Sequence, residues 1–451
     1  MSEDSTLDEF YQVESKEHSE SEWSESKLEN LLSELITGGR PTGGGLDEGE
    51  YISIGGTHVD SEGYIDLHDL VYIPEDYFDQ VEDTQLQKHD ILIVKDGANT
   101  GDVAIAWEPD DRIVTNEHLF TLRADSRINS PYLFYSLLSH RGWKQINGTI
   151  TGSAQEGINR GFTGKVDVEY PPLKEQRKIA TVLYTVDQTI EKTEEIIEQF
   201  QTVRRGTEQD VLSRGVLENG TLRADNEIEY RSSWVGEIPQ DWEVKQYDEL
   251  ISDSSVGIVV KPSQYYDESG TVPILRSKDI SSDGIVDGDF EYMTEESNAE
   301  NENSLLREGD VVTVRSGDPG LSCVVSSKFD GANCADLLIS TPSPNLDSHY
   351  AAMWINSFAG RKQIDRFQAG LAQKHFNLGA FRKLRVGVPP LDEQKRIVEK
   401  VSSVSESLER EKEYKKQLQR LKKGLIQDLL SGEVRTQNKD IEVVDGVLQY
   451  G

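Results

Sequence analysis

The sequence lacks several features that define whole classes of protein. Only two of its 451 residues are cysteines, Cys323 and Cys334, so they can build neither a disulfide framework nor a four-ligand zinc site. Mean hydropathy is −0.57, and no apolar run is long enough to cross a bilayer. The first residues, MSEDSTLDEF, lack the basic start and apolar centre of a signal peptide. We therefore expect a cytoplasmic protein.

Positive charge is also scarce. Lysine and arginine number 47 against 82 acidic residues, which gives a net charge of −35. Such acidity argues against nucleic acid as a ligand, because duplex DNA is itself a dense line of negative charge. Proteins from a salt-loaded cytoplasm, however, are acidic whatever they bind, and at ~1 M salt the Debye length is only ~3 Å. Salt adaptation and a dedicated acidic partner surface both explain the charge, so DNA is not excluded.

Motifs for catalysis are missing as well. YPPL at Tyr170 superficially resembles the NPPY-type motif of adenine methyltransferases, but it has no Asn or Asp for the target amino group and no final aromatic residue. GGRPTGGG at Gly38 lacks the Gly-Lys-Ser/Thr ending of a P-loop and is interpreted as a flexible loop. The eight histidines show no HExxH spacing, and no nuclease-type PD…(D/E)xK set is convincing. We expect no active site, no metal and no cofactor.

What the sequence does contain is a long internal repeat. PPLKEQRKIA begins at Pro171, and PPLDEQKRIV begins 218 residues later at Pro389, with six of ten positions identical. At the same offset, the residues after Gln209 match those after Gln427. A period of this length predicts a duplicated domain-sized unit.

Each copy of the decamer predicts the start of a long helix. Tandem prolines suit a helix entrance, and the trailing Gly215 or Gly432 suits a C-cap. About 40 residues would extend about 60 Å, and the apolar residues follow a heptad, as in a coiled coil. The seam is interrupted at equivalent places, with Arg204 opposite Lys422. The predicted seam residues are Ile179, Leu183, Val186, Ile190 and Ile197 in the first helix and Ile397, Val401, Val404, Leu408 and Leu418 in the second.

The segments before the helices are rich in predicted strands. HDILIVKDGANTGDVAIA indicates a strand at 91–94, a turn and a strand at 103–106, and GDVVTVRSGDPGLSCVV repeats the pattern in the second half. SPYLFYSLLSHRGWKQI and SHYAAMWINSFAGRKQI each predict one amphipathic helix. The fold class is therefore α+β, with two β-rich globular domains, two long helices and an internal pseudo-two-fold repeat.

The domain boundaries follow from these elements. They are a disordered acidic leader at 1–22, a first domain at 23–170, a long helix at 171–215, a linker at 216–233, a second domain at 234–388, a second long helix at 389–435 and a polar tail at 436–451.

This order resembles the specificity subunit of Type I restriction-modification systems, and the acidity resembles that of haloarchaeal proteins. The resemblance rests on PPLxEQ occurring twice in phase with two domains, on WVGEIPQDW, on VKDGANTGDVAI and on the Gly-x-Ala-Gln loops. It covers roughly residues 23–435, although the start of the first domain lacks the GEIP entrance. It implies a non-catalytic subunit with a role in defence against foreign DNA.

The resemblance also implies how such a subunit works. Each globular domain, a target recognition domain, reads one half of a split, asymmetric site on double-stranded DNA. The two helices form an antiparallel coiled coil, set the spacer between the half-sites and dock two modification (methyltransferase) subunits. A restriction (motor-nuclease) subunit completes the complex.

Two other functions compete with this one. The chain could be an acidic coiled-coil scaffold that binds protein partners, which predicts no sequence-selective DNA binding. It could also be a self-sufficient methyltransferase or nuclease, which requires a cofactor or metal site that the sequence does not show. The basic run KKQLQRLKKG at Lys415 is interpreted as a solvated helix face, with contact to an acidic partner or to DNA as the alternative.

Candidate DNA contacts are the polar residues of the loops before each long helix, since amides, hydroxyls and cations read base edges and phosphates. The alternative for Gln155, Gln373, Asn159 and Asn377 is that they match because they shape a common loop. The first-domain candidates are Lys95, Asn99, Thr149, Thr151, Ser153, Gln155 and Asn159. Those of the second domain are Lys261, Lys278, Arg315, Gln373, Lys374, His375 and Asn377.

Overall fold

The computed structural model describes residues 23–41, 44–151, 157–224, 226, 228–368 and 376–448. The chain divides into two compact units, residues 1–194 with 413–451 (unit 1) and residues 195–412 (unit 2). Each unit thus contains one β-rich domain, the first half of the long helix that follows it and the second half of the other long helix. None of the helices in the described ranges has the length and apolarity to span a membrane.

Unit 1 is built on two small sheets. A four-stranded antiparallel sheet has the strand order β2-β8-β5-β6, and a three-stranded sheet has the order β4-β3-β7, in which β3 and β7 are parallel. A separate pair, β1-β9, joins the two ends of the domain. The strands are β1 (Ser24–Lys27), β2 (Leu32–Thr37), β3 (Tyr51–Ile54), β4 (Val71–Ile73), β5 (Ile91–Val94), β6 (Val103–Ile105), β7 (Ile113–Thr115), β8 (Leu119–Ala124) and β9 (Asp167–Tyr170).

Strand β5 is apolar at every position because both of its faces are buried. Ile91 and Ile93 face the core shared with the helices, while Leu92 and Val94 face a second core against the three-stranded sheet. Alternate side chains of a strand point to opposite faces, so a strand buried on both faces carries no polar alternation. The strand predicted at 91–94 is present with those bounds.

Unit 1 has helices α1 (Glu75–Gln80), α2 (Ser130–Leu138) and α3 (His140–Asn147). The single helix predicted over SPYLFYSLLSHRGWKQI is in fact α2 and α3, because Ser139 is extended and its side chain caps α3 by accepting from the Gly142 amide at 3.1 Å. A Cβ on Gly142 would lie 2.3 Å from the Ser136 carbonyl oxygen, so the tight corner requires glycine there.

Unit 2 repeats this plan. Its sheets have the orders β13-β21-β18-β19 and β17-β14-β20, with pairs β12-β22, β10-β11 and β15-β16. Its strands are β10 (Tyr230–Ser233), β11 (Gly236–Pro239), β12 (Glu243–Gln246), β13 (Ile251–Val256), β14 (Val272–Leu275), β15 (Ile280–Ser281), β16 (Gly284–Ile285), β17 (Glu291–Met293), β18 (Val311–Val314), β19 (Ser322–Val324), β20 (Asn333–Cys334), β21 (Leu337–Pro342) and β22 (Arg385–Val388).

Its helices are α5 (Glu295–Glu300), α6 (Ser348–Asn356), α7 (Phe358–Gln368) and α8 (Leu378–Arg382). The second predicted amphipathic helix is again two helices. Ser357 accepts from the Gly360 amide at 3.2 Å, at the same offset of 218 residues from the first corner.

The two long helices are α4 (Leu173–Arg214) and α9 (Leu391–Leu430). Within unit 1, Asp187 pairs with Lys422 at 2.7 Å and Glu194 with Lys415 at 2.5 Å. As the residue number rises along α4, the number of its partner on α9 falls, so the two helix halves are antiparallel. In unit 2, Val211 and Leu212 share a core with the first turns of α9. Of the predicted seam residues, Ile179, Leu183, Ile190, Ile397, Val401, Leu408 and Leu418 are buried, and Val186, Ile197 and Val404 are half-buried.

The glutamine of the repeated decamer forms the same set of hydrogen bonds in both copies, at the corner where the long helix begins. Gln176 accepts from the Asn129 amide at 2.8 Å, and its amide group donates to the Pro171 carbonyl at 2.8 Å. In unit 2, Gln394 accepts from the Asp347 amide and donates to the Pro389 carbonyl, both at 2.9 Å. Both glutamines are at most 1% exposed. The corner ties the first turn of each long helix to the start of α2 or α6.

The glutamate of the decamer binds the segment that follows the other long helix. In unit 1, Glu175 pairs with Arg435 at 2.7 Å and accepts from the Thr436 amide at 3.0 Å. In unit 2, Glu393 pairs with Arg223 at 2.7 Å and accepts from the Val216 amide at 3.0 Å. In each unit, the start of one long helix is therefore bound to the chain segment that follows the other long helix.

Candidate nucleic-acid interface

Unit 1 carries a cleft of about 590 Å³ at the ends of its strands. Its walls are the described part of the 38–45 loop after β2, the 55–58 segment after β3, the 96–99 turn after β5 and residues 116–118 before β8. Gly38 lies against β7, where a Cβ would be 1.7 Å from the Thr115 carbonyl oxygen. The glycine-rich segment was interpreted as a flexible loop, but its first residue packs closely against β7.

Arg40 and His118 at this cleft have acidic partners. Arg40 Nε lies 3.1 Å from a Glu117 carboxylate oxygen, and His118 Nδ1 contacts the Asp96 carboxylate. Lys95 Nζ donates to the Glu117 carbonyl at 3.3 Å. The cleft therefore offers hydrogen-bonding groups with their charge largely balanced, as the acidic composition of the chain leads one to expect.

Of the predicted first-domain residues, Asn99 lines the cleft, and the loop before the long helix lies beside the turn that contains it. The Ile158 amide donates to the Lys95 carbonyl at 2.8 Å, so the loop before the long helix is attached directly to the 95–99 turn. Thr151 and Asn159 are exposed there. Ser153 and Gln155 lie outside the described residues.

Three of these residues also support the local fold. Asn99 donates to the Gly56 and Val59 carbonyls at 3.2 and 3.0 Å. Thr149 is 5% exposed, and its hydroxyl donates to the Ile146 carbonyl at 2.7 Å. The Asn159 side-chain oxygen accepts from the Gly161 amide at 3.0 Å. All three side chains are therefore bonded to backbone groups of the protein.

The second-domain candidates are arranged in the same way. The Phe376 amide donates to the Arg315 carbonyl at 3.0 Å, and the Arg315 guanidinium pairs with Asp336 at 2.9 Å. Asn377 is exposed, and its side-chain oxygen accepts from the Ala380 amide at 2.9 Å. Gln373, Lys374 and His375 lie outside the described residues.

The other two candidates are exposed lysines. Lys278 donates to the Asp289 carbonyl at 3.2 Å. Lys261 has φ +46°, a left-handed conformation that is rare for residues other than glycine.

Two exposed apolar residues beside Lys261 were not predicted as candidates from the sequence. Val259 and Val260 are 52% and 74% exposed, in the segment after β13. The signal was present, because Val-Val-Lys-Pro at 259 follows β13 as Gly-Gly-Arg-Pro at 38 follows β2. Apolar side chains at a DNA surface contact thymine methyl groups or enter base steps.

Burial raises the pKa of both thiols. Both cysteines are free and buried, and burial raises the pKa of Cys323 to about 12. A search of the described residues found no group of three or more His, Cys, Asp or Glu side chains arranged to hold a metal ion.

The class of protein follows from a comparison with known families. The Type I restriction modification DNA specificity domain matches twice, over residues 20–201 and 239–420, so the chain belongs to that family. Its two copies coincide with the two β-rich domains and the greater part of the long helix after each. This double match favours DNA recognition over a protein-binding scaffold.

Individual relatives agree. The putative type I restriction enzyme MjaX specificity subunit of Methanocaldococcus jannaschii is 24% identical over 92% of this chain and 94% of its own. The type I restriction enzyme MjaVIII specificity subunit of the same organism is 23% identical over 78% and 81%. The crystal structure of the S subunit of a Type-I restriction-modification system from M. genitalium covers 92% of this chain and 97% of its own, with a TM-score of 0.56 at 14% identity. That likeness shows the fold.

Proposed function

We propose that this chain is the DNA-binding specificity subunit of a Type I restriction-modification complex. Each recognition domain reads one half of a split, asymmetric site on double-stranded DNA. The antiparallel long helices set the spacer between the half-sites and dock the modification (methyltransferase) subunits, of which two are expected. A restriction (motor-nuclease) subunit joins them, and the chain contributes no catalysis of its own.

One observation carries this proposal: the two domains share their skeleton and differ in the loops that the skeleton holds. Gln176 and Gln394 make the same bonds at the same offset, and the loops before the long helices are attached to Lys95 and Arg315 by the same backbone bond. Two domains with equivalent skeletons and different loops can recognise two different half-site sequences, which we call words. Phosphate contacts fix register while base-edge contacts carry the sequence.

The proposed contacts differ between the domains. In the first domain, DNA contacts the cleft and the residues beside it. These residues are Lys95, Asn99, Thr149, Thr151, Ser153, Gln155 and Asn159. In the second, Lys261 and Lys278 contact phosphates, together with Arg315, Gln373, Lys374, His375 and Asn377. Because Arg315 has an acidic partner, a phosphate must compete with a carboxylate there. Binding through the phosphate contacts is expected to weaken as the salt concentration rises.

The test is to co-express the chain with its modification subunit in a host free of adenine methylation and to map methylated adenines across the genome. The expected result is one split motif with a single spacer length. Replacing residues 234–388 by the corresponding domain of another specificity subunit should change one word and leave the other intact. Complex formation without any sequence-selective methylation would contradict the proposal.

A further inference from the structure

The heptad seam is interrupted in each long helix by a cation, and neither cation is solvated. Lys422 on α9 is 8% exposed, although it belongs to the run interpreted as a solvated helix face. Arg204 on α4 has a side chain 15% exposed. The two residues occupy equivalent positions, 218 residues apart. Each binds a turn of the recognition domain in its own unit.

In unit 1 the cation lies in a buried polar cluster, which we name the Lys422 cluster. Lys422 Nζ lies 2.7 Å from Asp187 Oδ1 and donates to the Glu62 carbonyl at 3.2 Å. The Tyr64 ring centroid is 5.2 Å from the same nitrogen. The Tyr135 hydroxyl donates to Asp187 Oδ2 at 2.7 Å. Asp187 is 4% exposed, so both its oxygens are satisfied within the protein.

The turn that this cluster holds is itself rigid. Asp60 Oδ1 accepts from the amides of Glu62, Gly63 and Tyr64 at 2.8–2.9 Å. The turn connects to a wall of the cleft, since the Asp66 amide donates to the His58 carbonyl at 2.8 Å and residues 55–58 line the cleft. A displacement of Lys422 relative to the turn would therefore move that wall.

The Arg204 cluster performs the same connection in unit 2 with other residues. Arg204 Nε donates to Glu208 at 3.0 Å, Nη1 contacts the Asp283 carboxylate, and Nη2 lies 3.5 Å from the Ser282 hydroxyl. Asp283 and Ser282 form the turn between β15 and β16. That hairpin follows directly on the 277–279 segment, which contains the candidate Lys278.

The clusters differ in burial. In unit 1 the carboxylate is supplied by the long helix and is almost fully buried. In unit 2 the carboxylate that Arg204 meets in the turn is Asp283, whose side chain is 47% exposed, and Ser405 stands at the position equivalent to Asp187. An exposed ion pair is screened by salt, whereas a buried one is screened far less. In unit 1 the domain meets the cluster through the Glu62 carbonyl, the Tyr64 ring and the Tyr135 hydroxyl, so salt is expected to weaken this connection less than the Arg204–Asp283 pair of unit 2.

From these contacts we infer that Lys422 and Arg204 are positioning residues for DNA recognition, each fixing the angle of its recognition domain on the long helices and so the single spacer length that the protein accepts. This inference rests on the proposed function. One base pair corresponds to about 3.4 Å along the duplex. A recognition domain that rocks on its helices would tolerate a spacer one base pair shorter or longer, with both words unchanged.

The test uses the full chain co-expressed with its modification subunit, with adenine methylation mapped at every pair of words as a function of spacing. Lys422→Met should raise methylation at spacers one base pair off by tenfold or more over wild type, and Arg204→Met by severalfold. Lys416→Met and Arg205→Met, exposed on the same helices, are the matched controls and should keep one spacer. Lys422→Arg should restore most of the selectivity.

Asp283→Asn provides a variant that does not threaten folding, because the side chain lies half in solvent. It should relax the spacer to the extent that Arg204→Met does. Variants that melt at lower temperature but keep a single spacer would show that the cations only stabilise, and a changed word would show that they affect reading. Either result overturns the inference. A wild-type complex that methylates no split motif would instead overturn the proposed function.

Discussion

The two recognition units are alike at the corner where each long helix begins and differ in the segments that would meet DNA. Gln176 and Gln394 have matching partners at an offset of 218 residues. The segments after β2 and β13, by contrast, differ: one has Gly38, Gly39 and an exposed Arg40, and the other has exposed Val259, Val260 and Lys261. The glutamine corner is therefore the same in both units, whereas the segments that would meet DNA differ.

The largest effect is expected from breaking the shared corner. Gln176→Met or Gln394→Met keeps the side-chain volume but leaves buried backbone groups without partners, at a cost of about 2–4 kcal/mol for the two or more groups involved. Urea denaturation should show similar losses of unfolding free energy for both variants. Hydrogen exchange should show faster exchange at Asn129 or Asp347, in the affected unit alone.

Gln201→Met and Gln417→Met are the matched controls, because both glutamines are exposed on the same helices. They should stay within about 0.5 kcal/mol of wild type. If only one of the buried glutamines matters, the corner is not a common frame and the comparison of the two units breaks down.

The glutamate of each decamer should distinguish the units. Burial opposes ionisation of Glu175, but the hydrogen bonds from Arg435 and the Thr436 amide outweigh it and hold its pKa below the ordinary value. For Glu393, burial dominates over Arg223 and raises the pKa. Glu175→Gln should therefore cost about 2 kcal/mol at pH 7 and Glu393→Gln less than about 1 kcal/mol. Equal losses in urea denaturation would contradict the difference between the units.

The pH dependence of these two variants should have opposite signs. Because the pKa of Glu175 is lowered on folding, its stabilisation is present above the ordinary value of 4.5 and is lost as pH falls through the folded pKa. The deficit of Glu175→Gln should shrink on acidification. The pKa of Glu393 is raised, so its contribution is present below 4.5 and is lost as pH rises through the folded pKa. The deficit of Glu393→Gln should shrink as pH rises.

Measuring each variant against wild type at the same pH removes the contribution of other titrating groups. His89 is the important one, because its ring lies 2.8 Å from the Gly446 carbonyl and burial lowers its pKa. Deficits that move in the same direction for both variants would show that the two glutamates are equivalent after all.

The long helices and the central strands were predictable because local sequence patterns determine them. Tandem prolines, a heptad and a closing glycine predict α4 and α9, and the apolar run at Ile91 predicts β5. The bend between α2 and α3 was not predicted, since the amphipathic pattern continues through Ser139. Only the close contact of Gly142 with the preceding turn shows why the helix must end there.

The partners of polar residues were harder to predict than the elements. Lys422 lies in a basic run that suggests a solvated face, yet its partners Asp187 and the 60–64 turn are far away in sequence. The exposure of Val259 depends on how the chain leaves β13 and enters the left-handed Lys261. Such information arises only when distant segments meet.

The smallest effect on stability, but a selective one on function, is expected at the exposed valines. Val259→Ser and Val260→Ser remove apolar surface that is already in water, so unfolding free energy should change by less than about 0.5 kcal/mol. If these side chains contact bases, binding of DNA by the assembled complex should weaken about fivefold to tenfold, or ~1 kcal/mol per lost contact. Binding assays with duplexes varied in one word at a time measure the change.

Only the word read by the second domain should be affected, because the first domain has glycines in place of these valines. Val286→Ser is the matched control, since Val286 is 48% exposed in the same unit but lies on another segment, after β16. Weakening that is uniform over all duplexes would show that the valines support general affinity. Weakening that follows the first word would mean that the loops after β2 and β13 do not have equivalent roles, and the comparison of the two units would fail at the reading surface.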